Sequence, residues 1–123
     1  MYLIGIDIGG TKCAVILGKA IDKSNPLAEE PVIIDKIKFP TTKNPMEVIE
    51  KLCENTEAIM DRNSIAAVDV ACIGINCGGP VDSRNGIILS PPNLIGWDEI
   101  HIVEIFEKRF GIKSKLQNDA NAG

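Results

Sequence analysis

The chain has 123 residues, a formal net charge of −4, 45% hydrophobic and 4% aromatic content. That length suits one domain, burying roughly two-thirds of its unfolded surface, and the Ile, Val, Leu and Ala supply suits buried strands with helices packed on them. Scattered Lys and Arg argue against a nucleic-acid partner; with no stretch near the roughly 20 apolar residues of a membrane span, and Asp7 breaking the N-terminal apolar run, no membrane or signal segment is expected and the expected location is cytoplasmic.

In chain order, residues 2–8 (YLIGIDI) and 12–20 (KCAVILGKA) read as two antiparallel strands around the turn Gly9, Gly10, Thr11. Residues 22–31 (DKSNPLAEEP) form a surface loop and 32–39 (VIIDKIKF) a third strand. Asn44 as cap, Pro45 at the first helical position and Glu47 reaching back to the cap amide mark a helix start. Its buried face comprises Ile49, Leu52, Cys53, Ile59 and Met60.

Residues 68–76 (VDVACIGIN) read as a buried strand running into Gly78 and Gly79. SRNG (83–86) is a turn from which IILS pairs back. HIVEIFEKRF (101–110) is an amphipathic helix stopped by Gly111, KSKLQ is a last strand, and NDANAG opens a further helix. A helix cut within its first turn has almost no face to bury, so Gly123 reads as a truncation point.

Cys13, Cys53, Cys72 and Cys77 include no CxxC pair and read as reduced, buried thiols. The single histidine, His101, lacks partners at metal-ligand spacing and reads as a surface or capping residue.

GIDIGGTKCAVILG (5–18) holds the ingredients of a phosphate cradle. A P-loop needs lysine and then a hydroxyl at a helix start, whereas Thr11 precedes Lys12 here and CAVILG is β-rich. The dinucleotide fingerprint also requires a helix at that point. What remains is a glycine turn inside a β-hairpin, whose amides can approach a phosphate, with Thr11 and Lys12 adding a hydroxyl and a cation. Asp7 facing that phosphate calls for an intervening cation, Mg²⁺ held through water; the alternative is an Asp that satisfies nearby amides.

DIGGTK (7–12) resembles the first phosphate motif of the sugar kinase, hsp70 and actin superfamily, in particular of the ROK family of bacterial sugar kinases and repressors. IGINCGGPVDSRNGIILSPPNLIGW (73–97) resembles that family's sugar loop, and QNDANAG the segment holding its catalytic aspartate. The resemblance covers the whole chain as an N-terminal lobe. It implies an α/β, actin-like ATPase, ribonuclease H-like fold with a mixed sheet, three antiparallel strands first, and helices on its faces. It also implies a second lobe, with further sugar contacts, the adenosine motif and any zinc site, outside this chain. Gly78-Gly79-Pro80 departs from the family's usual Pro-Gly-Pro and leaves the sugar open.

The implied activity is ATP-dependent phosphorylation of a hexose or N-acetylated hexosamine, with ATP and Mg²⁺ at Asp7, Gly9, Gly10, Thr11 and Lys12. The sugar would lie at Gly78, Gly79, Asn93, Asn118 and Asp119. A sugar hydroxyl needs a carboxylate in reach to take its proton; Asp119, in the third motif of an ordered set, is the expected base, where alone it would read as a helix cap. Asn118 offers a donor and an acceptor. Asn93 reads equally as a turn residue, Gly78 and Gly79 as a bend, and Trp97 as packing rather than a sugar platform. A homo-oligomer is compatible with the full-length protein. Two rivals stand beside the kinase: a ROK-type repressor, which carries a helix-turn-helix segment ahead of the first motif where Met1 here leads into a strand, and a non-catalytic actin-like module.

Overall fold

The computed structural model describes residues 1–19, 32–78, 80–89 and 96–118, the last of these by its backbone. Strands β1 (Tyr2–Ile8), β2 (Lys12–Lys19) and β3 (Val32–Pro40) lead into helix α1 (Pro45–Arg62). A short 3₁₀ turn (Ala67–Asp69) precedes β4 (Val70–Cys77), the hairpin β5 (Val81–Asp82) and β6 (Ile87–Ile88), helix α2 (Ile102–Phe110) and β7 (Ser114–Asn118). The loop expected at 22–31 and the helix expected from NDANAG fall outside the described residues, Asn118 excepted.

Five strands form one mixed sheet in the order β3-β2-β1-β4-β7. β2 is antiparallel to β1 and β3, whereas β4 runs parallel to both β1 and β7. Alternation sends Ile4, Ile6 and Ile8 of β1 to one face, in register with Leu17, Val15 and Cys13 on one side and Ile73, Ile75 and Cys77 on the other. All nine are buried, and with residues of both helices they form one core. Full burial of each aliphatic side chain contributes about 1.5–3 kcal/mol.

The helices close that face for legible reasons. Asn44 Oδ1 accepts from the Met46 and Glu47 amides with Pro45 in the first turn, a one-sided cap in place of the reciprocal box the sequence suggests. Below it Val48, Ile49, Leu52, Cys53, Ile59 and Met60 are buried, as is Thr56, whose hydroxyl donates to the Leu52 carbonyl at 2.7 Å. α2 buries Ile102 and Phe106 and ends at Gly111, whose φ of 68° suits a left-handed cap. Arg109 of α2 reaches Glu50 and Glu57 of α1. The Arg62 guanidinium, with Asn63 beside it, holds the Asp35 carboxyl well below the usual carboxylate range and ties β3 to α1. Trp97, only 1% exposed, belongs to the core and presents no face to a ligand.

The opposite sheet face carries Leu3, Gly5, Asp7, Ile16, Cys72, Gly74 and Asn76, all half-buried or exposed, and no described helix covers it. At its β3 edge Val32 and Ile33 are 54% and 65% exposed. The third strand therefore forms where the sequence indicates, but as a thinly covered border.

Candidate functional site

β1, β4 and β7 are parallel, so their carboxyl ends lie along one edge of the sheet, where open α/β sheets bind ligands. Ile8 is in register with Cys77, and Cys77 with Asn118. The turn after β1, Gly78 after β4 and the end of β7 thus occupy one edge across two strand spacings, about 10 Å. The two-strand hairpin expected around Gly9, Gly10 and Thr11 is present, and the chain leaves Lys12 as strand β2, not as a helix. That excludes the helix-based cradles.

Gly9 must be glycine, because a Cβ there would lie 2.7 Å from the Lys12 carbonyl oxygen. The Gly9 amide donates to that oxygen at 3.2 Å, but no return bond runs from the Lys12 amide to the Gly9 carbonyl. The Gly9 carbonyl instead accepts from the Thr41 hydroxyl at 2.7 Å, and the Thr41 amide donates to the Thr11 carbonyl at 2.9 Å. Cys13 Sγ lies 3.2 Å from Thr41 Oγ1. Burial raises the Cys13 thiol's pKa, so it stays protonated at neutral pH. Among the described residues, the exposed amides of Gly10 and Thr11 have no hydrogen-bond acceptor.

Asp7 alternates with buried Ile6 and Ile8, and so faces the uncovered side, in register with Ala14, Asn76 and, beyond Asn76, Gln117. Lys12 shares that face with Ala14. Among the described residues no three His, Cys, Asp or Glu side chains converge. One exposed carboxylate suits a hard cation that keeps most of its waters and takes its other oxygens from a phosphate chain, which is the habit of Mg²⁺.

Of the residues singled out from the sequence, Gly9, Gly10 and Thr11 form the turn with Asp7 and Lys12 at the ends of the strands it joins, and Gly78 and the Asn118 backbone border the same edge. Gly79, Asn93 and Asp119 lie outside the described residues. A Cβ on Gly78 would meet nothing within 4 Å, so no described neighbour demands glycine there. A recess of about 700 Å³ between the β5–β6 turn, α2 and β7 is lined by Arg84, Val103, Glu107 and Lys115 among others, and by none of the residues predicted for the site. Sequence reasoning missed Thr41 and Asn76. Asn76 carried a faint signal, a polar residue in step with Gly74 inside an apolar strand.

Comparison with known proteins accords with this geometry. The ROK family sequence model matches residues 3–123. The glucokinase of Thermotoga maritima is 32% identical over 124 aligned residues, covering 99% of this chain and 35% of that protein. A ROK family glucokinase from Streptomyces griseus, solved with glucose and AMPPNP, superposes with a TM-score of 0.76 at 27% identity, covering 99% of this chain and 34% of that one. A ROK family transcriptional regulator homologous to the E. coli MLC protein gives a TM-score of 0.78 at 17% identity, covering 98% of this chain and 28% of that one, and shares the fold alone. The chain spans about a third of the length of these kinases. Sheet order, hairpin turn and neighbours agree on an actin-like ATPase fold, and the chain belongs to the ROK family.

Proposed function

We propose that these residues form the phosphate- and sugar-binding part of an ATP-dependent hexose kinase, a lobe whose partner lobe completes the nucleotide site. The reading is carried by one observation: the glycine turn with its unengaged amides lies on the same sheet edge as Gly78 and the end of β7, the strand that leads into Asp119. Glucose is the first candidate among hexoses, since glucokinases are among the relatives that match nearly all of this chain at more than 30% identity.

In this reading Gly10 and Thr11 amides, with the Thr11 hydroxyl and the Lys12 ammonium, hold the phosphate chain of ATP. Asp7 and its neighbour Asn76 hold a hydrated Mg²⁺, which supplies charge neutralisation to that chain. Gly78, Gly79, Asn93 and Asn118 orient the sugar. Asp119 accepts the proton of the attacking hydroxyl as its oxygen bonds to the γ-phosphorus, and the bond from that phosphorus to the bridging oxygen breaks to release ADP.

The test is a sugar panel against the full-length protein with ATP, with Asp119→Asn beside it. Phosphate transfer to a hexose, lost by about 10²–10⁴-fold in kcat in the variant while sugar affinity largely persists, is the expected result. A protein that binds the sugar without transferring phosphate would instead be a sugar-responsive regulator, a reading kept in view by the shared fold of the ROK transcriptional regulator. Residues 1–123 alone are expected to show no turnover, since half the nucleotide site and the closure that excludes water would be missing.

A further inference from the structure

We infer that Thr41 is a positioning residue for the phosphate turn: it fixes the direction in which the Gly10 and Lys12 amides point. The inference rests on reading that turn as the phosphate site. In a two-residue hairpin the first carbonyl commonly accepts the amide three residues on, which closes the turn upon itself. Here that bond is absent, and Thr41, 32 residues away at the end of β3, takes over. Its hydroxyl donates to the Gly9 carbonyl, and its own amide donates to the Thr11 carbonyl.

Two carbonyls held from one side determine what faces the other. A trans peptide unit is planar, with C=O and the following N–H pointing in opposite directions. Tying the Gly9 oxygen to Thr41 therefore turns the Gly10 N–H away from Thr41, and tying the Thr11 oxygen turns the Lys12 N–H the same way. Glycines at 9 and 10 have little torsional preference of their own, so without the tie the Gly9–Gly10 plane is free to rotate and can present an oxygen to an anion in place of a hydrogen.

The proton count on Thr41 is determined as well. A threonine hydroxyl has one hydrogen, which goes to Gly9, so the contact at 3.2 Å must be the Cys13 thiol donating to Thr41 Oγ1. Burial keeps that thiol protonated and able to do so. The chain Cys13 S–H, Thr41 O–H, Gly9 C=O runs from the core to the turn and orients the hydroxyl before any ligand arrives.

The experiment follows the backbone amide resonances of Gly10 and Thr11 in the ¹⁵N-labelled 123-residue chain during titration with tripolyphosphate and Mg²⁺. In the native chain those resonances should move with the ligand. Thr41→Val, which keeps the shape and removes the hydroxyl, should weaken binding by about tenfold or more, whereas Thr41→Ser should stay within about threefold of native. If the valine variant does not fold, Thr41→Ala is read in its place. Native-like binding by the valine or alanine variant would overturn the role of Thr41 and leave the phosphate turn standing, as would a serine variant that binds as weakly as valine. Gly10 and Thr11 resonances that never move in the native chain would remove the phosphate reading, and this inference with it.

Discussion

A methyl group on Gly9 would sit 2.7 Å from the Lys12 carbonyl oxygen, and that oxygen belongs to backbone held in the β-ladder. Neither side can yield cheaply. Gly9→Ala is therefore expected to destabilise the fold by about 1–3 kcal/mol, checked by chemical denaturation of the native and variant chains. The glycine motif was legible because the constraint is local: three residues on, the chain returns to the same spot. Thr41 was not, since its meaning depends on β3 returning beside β2, and a threonine in FPTTKNP carries no mark of that distant contact. Asp119, Asn93 and Gly79 were singled out by motif alone and lie outside the described residues.

At the scale of elements, periodicity placed every described strand of the five-stranded sheet and both helices to within about two residues, because alternation and helical spacing are local properties. It could not say which strand would lie at an edge. Ile33 and Ile34 look like core residues in the sequence, yet a register shift between Leu17 and Gly18 and the edge position leave them exposed. Gly5 and Gly74 were equally opaque. They pair directly across β1 and β4, and a Cβ on Gly74 would touch nothing within 4 Å, while one on Gly5 would make ordinary contact with Ile16. Nothing described requires glycine at 74, and glycine weakens a strand interior. Gly74→Ala should thus raise stability by about 0.5–1 kcal/mol, seen as a higher melting temperature; an unchanged or lower one would mean that the backbone there needs glycine for a reason other than space.

For the whole molecule, the sheet order explains why both described helices cover one face and no described helix covers the other. The β3–α1–β4 and β4–α2–β7 crossovers both step in the same direction across the sheet, and right-handed crossovers that step the same way deliver their helices to the same side. The fold accordingly separates packing from the proposed phosphate site: aliphatic rows beneath the helices, and Asp7, Lys12 and the open amides along the carboxyl edge. A glucokinase and a transcriptional regulator both share this fold, which is why the fold alone does not decide between the two readings.

The face without a described helix also sorts the four cysteine thiols. Cys13, Cys53 and Cys77 are sealed beneath the helices, and burial pushes the Cys53 thiol up to about 11, whereas Cys72 points out beside Leu3. A chromogenic disulfide reagent should consume one equivalent quickly and the other three only as fast as the protein opens, so the chain carries its own unfolding clock; two rapid equivalents would mean that the helical layer is breached in the native state.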